Sequence, residues 1–129
     1  MKETSMDRYA SVGEEILRKM FAMDEGASML GELALVPKES PINRCGFLFY
    51  NTLFDENACC HVAVGEGFGE VLEGFTEMTK EERTARGIND SLIHVDFMVG
   101  SEDLSVIGYW EDGSSVAIFR DGTWAFPVE

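Results

Sequence analysis

The sequence predicts an α+β domain, and three observations carry that expectation. Apolar residues near the N-terminus recur at helical three- and four-residue steps. The C-terminal segment alternates apolar and polar residues around two Asp-Gly pairs. Between these regions run short apolar stretches set off by glycine and proline. Together they predict an N-terminal amphipathic helix, a mixed or antiparallel sheet and a closing β-meander. At 129 residues the chain is expected to form a single domain over 1–129, large enough for a real core but short for an elaborate enzyme.

Tyr9, Val12, Ile16, Leu17, Met20 and Phe21 fall on one stripe of the expected helix, with Ser5 or Asp7 placed to cap it. Gly26 and Gly31 bracket "DEGASML", a short helical turn. "ELALVP" reads as a strand stopped by Pro37, and Pro41 keeps the next segment extended or turning. "GFLFYN" is aromatic-rich and reads as another strand. In "TLFDENACCHVAVGEGFGE" the first half is turn-like or a short helix and "HVAVG" is a strand. Thr79 and Glu82 fit a capping box, with Gly87 as the C-terminal stop. A strand follows over 91–100. Asp112-Gly113 and Asp121-Gly122 are tight-turn signals, so "LSVIGYWEDGSSVAIFRDGTWAF" reads as an antiparallel meander. No internal repeat, low-complexity tract or linker interrupts the chain.

Composition narrows the function classes. Hydrophobic residues at 45% mark a globular chain and not a disordered one. Acids outnumber bases 24 to 10, a formal charge of −14, which argues against binding a nucleic-acid backbone. No apolar run approaches the ~20 residues of a membrane span, and the N-terminus lacks a signal-peptide profile. Neither nucleic acid nor membrane is therefore an expected partner. Cys45, Cys59 and Cys60 are expected to be reduced thiols in a cytoplasmic protein.

The informative stretch is "SLIHVDFMVG". Side chains alternate along a strand, so His94 and Asp96 point the same way. The chain has two histidines, His61 and His94, and Glu32 interrupts the apolar flow of "MLGELALVP". Histidine with carboxylate is the ligand set of hydrolytic zinc, cobalt or manganese sites. A carboxylate can bridge two cations, which together activate water and polarise a carbonyl. The residues equally allow His94 as a hydrogen-bonded core histidine with Asp96 as its ion-pair partner, and Glu32 as a solvated strand-entry residue. His61 beside Cys59 and Cys60 makes a weak zinc signal, and small buried thiols explain those cysteines as well.

Other motifs resolve to packing or solvation. "GEGFGE" is not G-x-G-x-x-G, and Glu66 and Glu70 would repel a pyrophosphate, so a flexible turn is expected. Tyr109, Trp110 and Trp124 are read as core or interface packing, and "KEERTAR" as a solvated helix face.

Four blocks, "DEGASMLGELALVP", "FLFYNTLFDENACCHVAVG", "NDSLIHVDFMVGS" and "IFRDGTWAF", closely resemble the C-terminal third of the bacterial aminopeptidase T / aminopeptidase S / PepS metallo-aminopeptidases. The likeness runs from about Gly13 to Phe126 in consistent order. The family comprises dinuclear exopeptidases that release N-terminal amino acids from peptides. The resemblance implies two divalent metal ions, zinc, cobalt or manganese. It implies Glu32, His61, His94 and Asp96 as their ligands, Glu32 doubling as a candidate base.

Two departures matter. The family's large N-terminal region supplies another metal-binding glutamate, and nothing upstream of Glu32 matches it; Glu14 and Glu15 lie on an ordinary polar helix face. Where the family places a tyrosine, seven residues after His61, this chain has Phe68. Losing one such donor to a developing oxyanion typically slows chemistry about 10²–10³-fold. The expectation is a C-terminal portion of a metallo-aminopeptidase, inactive alone, that forms a homodimer or associates with the missing N-terminal half. The rival reading is a non-catalytic dimerising module derived from the family.

Overall fold

A computed structural model describes residues 10–128. They gather into two compact units: the residues up to Glu32 with Val64–Val95, and Leu33–Ala63 with the chain from Asp96 onward. Helices and sheets are both present, so the class is α+β as expected. Strands β1 (Leu30–Ala34), β2 (His61–Gly65) and β3 (His94–Met98) form one three-stranded sheet in the order β1-β2-β3. Strands β4 (Val106–Tyr109), β5 (Ser115–Arg120) and β6 (Thr123–Trp124) form the other.

The first unit opens with α1, Glu14–Phe21, which starts on Gly13 without a side-chain cap and carries the i,i+4 pairs Glu14–Arg18 and Glu15–Lys19. The apolar stripe is narrower than the sequence suggested. Leu17, Met20 and Phe21 are half-buried, whereas Val12 and Ile16 are exposed. Tyr9, Ser5 and Asp7 lie outside the described residues. A single 3-10 turn at Gly26–Ser28 buries Ala27 completely. The capping box forms as read: Thr79 Oγ1 accepts from the Glu82 amide, and Glu82 accepts from the Thr79 amide, starting α4 (Lys80–Ala85). Gly87, at φ 94°, follows its end. "KEERTAR" is only partly a solvated face, because Arg83 lies over the Phe75 ring at 4.5 Å and donates to the Met78 carbonyl.

β3 begins three residues later than the run 91–100 suggested. The amides of Ser91, Leu92 and Ile93 donate to the side chains of Glu66, Asp24 and Ser91, which withdraws them from any ladder. The Leu92 amide first, helped by the Ser91 hydroxyl, holds the Asp24 carboxyl below the usual aspartate range.

In the second unit, two expectations fail for local reasons. The segment expected to be extended or turning at Pro41 is helix α2, Pro41–Cys45. Ser40 caps it by accepting from the Ile42 amide, and proline is tolerated in a first turn whose amides lack helical partners. "GFLFYN" is not a strand. Gly46 and Tyr50 take positive φ (68° and 56°), and Asp55 accepts from the amides of Phe49 and Asn51. Phe47, Phe49 and Phe54 stack on one another instead, at 4.8 and 5.6 Å between centroids. Helix α3, Thr52–Asp55, and a 3-10 turn at Glu56–Ala58 lead into β2.

The meander is antiparallel throughout, as the two Asp-Gly pairs indicated. Arg120 pairs with Thr123, leaving Asp121 and Gly122 (φ 52° and 72°) as a two-residue turn. Phe119 is buried and packs on Trp124 at 4.6 Å, whereas Tyr109 and Trp110 are exposed and belong to no core. The Cys60 thiol is structural: it accepts from the Val36 amide and donates to the Val36 carbonyl. All three cysteines are free thiols, Cys45 exposed and Cys60 buried.

Candidate metal centre

In the first unit, the pieces around His94 are built from backbone outward. The Glu66 amide donates to the Ile93 carbonyl, and the Gly67 amide to the Asn89 carbonyl, so "GEGFGE" is a pinned turn and not a flexible one. This fixes the Glu66 carbonyl oxygen 2.8 Å from His94 Nδ1. A carbonyl only accepts, so Nδ1 carries a proton, and whenever the ring is neutral its lone pair falls on Nε2. Glu32 meets that second nitrogen, with Oε2 3.5 Å from His94 Nε2. The approach depends on Gly31, because a Cβ there would lie 2.3 Å from the Glu66 oxygen. Phe68 is half-exposed, its ring 4.8 Å from the imidazole.

In the second unit, His61 heads β2 and is 2% exposed. Its Nδ1 donates to the Cys59 carbonyl at 3.0 Å, which again directs the ring's lone pair to Nε2. Ligand atoms of Glu56, His61 and Asp96 all lie within 4.8 Å of one another. Asp96 reaches this group from β3, two residues beyond His94 and on the same strand face.

The structure thus places Glu32, His94 and Phe68 together, and His61 with Asp96. Sequence reasoning missed Glu56. Its one signal is a carboxylate five residues ahead of His61 in "DENACCH", a spacing that carries no periodicity because it crosses a turn. Imidazole nitrogens with carboxylate oxygens suit zinc, cobalt and manganese, and both rings have the other nitrogen already occupied by a carbonyl, as metal-bound histidines do. The donor set fits divalent cations.

Residues 5–124 match the family model described as thermophilic metalloprotease (M29). The chain belongs to this family. Among M29 relatives, it is 50% identical over 123 residues to aminopeptidase 2 of Geobacillus stearothermophilus, covering 95% of this chain and 30% of that protein. It is 49% identical over 121 residues to aminopeptidase AmpS of Bacillus subtilis, covering 94% and 30%. Among solved structures, wild-type AmpT from Thermus thermophilus superposes with a TM-score of 0.76 at 47% identity, covering 91% of this chain and 28% of that one. The chain therefore spans about three-tenths of the length of the M29 proteins it matches.

Proposed function

We propose that this chain carries the metal-binding end of an aminopeptidase that releases N-terminal amino acids from peptides by hydrolysis at a dinuclear centre. The observation that carries the reading is the shared setting of the two histidines. His61 and His94 each donate Nδ1–H to a backbone carbonyl, and each has carboxylate oxygens nearby. Glu32, His61, His94 and Asp96 would hold the cations, zinc, cobalt or manganese by donor type. Bound there, they supply Lewis acidity and a nucleophile drawn from water at neutral pH.

The chain's own residues set the rest. The carbonyls of Cys59 and Glu66 fix both ring orientations, so little reorganisation accompanies ligation. Glu32 stands where a carboxylate can ligate or take a proton from water. Phe68 lays an apolar ring on His94 and brings no hydroxyl to a developing oxyanion. Hydrolysis uses this end together with the remainder of the M29 architecture, and residues 1–129 alone bind metal weakly and cleave nothing. Exposed Phe47, Leu48, Tyr50 and Leu53 offer an apolar face for that remainder or for a second copy of the chain. Among the described residues no helix is long and apolar enough to cross a membrane. Free thiols favour the cytoplasm as the compartment.

Calorimetric titration with zinc, cobalt or manganese tests the reading, alongside cleavage of leucine amide in the presence of the family's N-terminal region. Saturable uptake that disappears in a His94→Ala, Asp96→Ala double variant supports it. A folded wild-type protein that takes up none of the three metals overturns it.

A further inference from the structure

We propose that Asn89 is a positioning residue, holding the backbone that presents a carbonyl to His94; the inference rests on the metal-binding reading above. Asn89, Glu66, His94 and Glu32 all belong to one compact unit. Asn89 is half-buried and lies outside every helix and strand, in the stretch between α4 and β3. Its side-chain NH2 has two hydrogens and two backbone acceptors. Nδ2 donates to the Gly65 carbonyl at 2.5 Å and to the Gly26 carbonyl at 2.9 Å. The carbonyl of Asn89 itself accepts from the Gly67 amide at 2.9 Å.

These bonds grip Glu66 from both sides. The oxygen that receives the His94 Nδ1 proton lies in the peptide plane joining Glu66 to Gly67, and the N–H of that same plane is the one bound by Asn89. A trans peptide is flat, with its C=O and N–H pointing opposite ways. Fixing the Gly67 N–H therefore aims the Glu66 carbonyl. The preceding plane joins Gly65 to Glu66, and its carbonyl is the one held by Nδ2. The third bond ties the same side chain to the turn Gly26–Ser28 ahead of β1, the strand that carries Glu32.

A staple that only stabilises the loop is the natural competitor. Two other bonds already tie this turn down: the Glu66 amide donates to the Ile93 carbonyl, and the Gly65 amide to the Met29 carbonyl. Neither involves the plane whose carbonyl meets His94. Asn89 holds that plane, so its loss is expected to reach the ring and not the stability alone.

Nitrogen-15 NMR of the histidine rings in the metal-free full chain, at about pH 8 where an ordinary histidine is neutral, reads both tautomers side by side. Zinc calorimetry on the same proteins reads the centre. The comparison is wild type, Asn89→Asp and Asn89→Ala. Asn89→Asp keeps the shape of the side chain and turns its donors into an acceptor. The His94 signal is expected to move from the Nδ1–H tautomer toward a mixture. The His61 signal is expected to stay, because its Nδ1 bonds the Cys59 carbonyl in the other unit. Zinc binding at one site is expected to weaken at least roughly tenfold. If Asn89→Asp does not fold, Asn89→Ala, which removes the donors without adding charge, is expected to give the same changes. A folded variant with a lower melting temperature but the wild-type His94 signal and zinc affinity overturns this inference alone. No metal uptake by wild type overturns the reading beneath it, whereas the His94 signal still reports on Asn89.

Discussion

The Glu66 carbonyl oxygen sits against the α-carbon of Gly31, where a β-carbon would come within 2.3 Å of it. The same oxygen receives the Nδ1 proton of His94 at 2.8 Å, and Gly31 immediately precedes Glu32. One close approach between two backbones thus sets both the tautomer of the imidazole and the reach of the carboxylate.

Gly31→Ala is expected to destabilise the protein by about 1–3 kcal/mol, because the obstacle is backbone and cannot rotate away. Zinc affinity is expected to fall with it, since any retreat of the Glu66 carbonyl releases His94. Thermal unfolding and calorimetry measure the two effects, and an alanine variant with wild-type values in both would contradict the account.

Ser40→Ala removes a buried hydroxyl that accepts from the Ile42 amide and donates to the Asn57 carbonyl. Loss of a helix cap costs about 1 kcal/mol, and a stranded buried carbonyl about 1–3 kcal/mol. Urea unfolding should register a loss of about 2–4 kcal/mol as a lower midpoint at constant slope. A midpoint shared with wild type would mean that neither bond persists in solution.

The Asp24 carboxyl titrates below the usual aspartate range because the Leu92 amide, and then the Ser91 hydroxyl, bond its ionised form. A depressed folded value means stability that is fully present above the ordinary aspartate value of about 4 and is lost as pH falls through the lower folded value. Asp24→Asn should be less stable than wild type at neutral pH, with a gap that closes in acid. Melting temperatures from pH 7 down to pH 2 test this, and a gap that widens toward low pH has the wrong sign.

Phe68→Tyr places a hydroxyl on a half-exposed ring already 4.8 Å from His94. Metal affinity and melting temperature are expected to stay at wild-type values, because no buried contact changes. Turnover of leucine amide, with the rest of the M29 architecture present, is expected to rise by up to about 10²-fold, the size of one oxyanion donor. Equal turnover in the two proteins would remove the hydroxyl from the account.

Much of the fold was legible because its signals are local. Asp121-Gly122 demands left-handed backbone at both positions, and the structure supplies it in a two-residue turn. Thr79 and Glu82 stand at the spacing their reciprocal bonds require. His94 and Asp96 share a face because strands alternate. The failures came where side chains outbid the backbone ladder. "GFLFYN" has the composition of a strand, yet the Asp55 carboxylate claims two of its amide neighbours and its rings prefer one another. Pro41 was expected to keep its segment extended or turning, although it stands at the one helical position that welcomes it. Glu56 joins His61 and Asp96 only after a turn and a strand have been folded, and no one-dimensional period connects them.

Trp124 stacks between Phe119 and Phe126, while Trp110 stands in solvent. Both indoles of the chain fall in the unit that contains the meander, and the unit that contains Glu32 and His94 has none. Intrinsic emission therefore watches only half of the molecule: acrylamide will quench Trp110 in the native state, and a red shift on heating will mark exposure of Trp124. Melting around α1 and α4 will pass unseen in that channel and must be followed by circular dichroism.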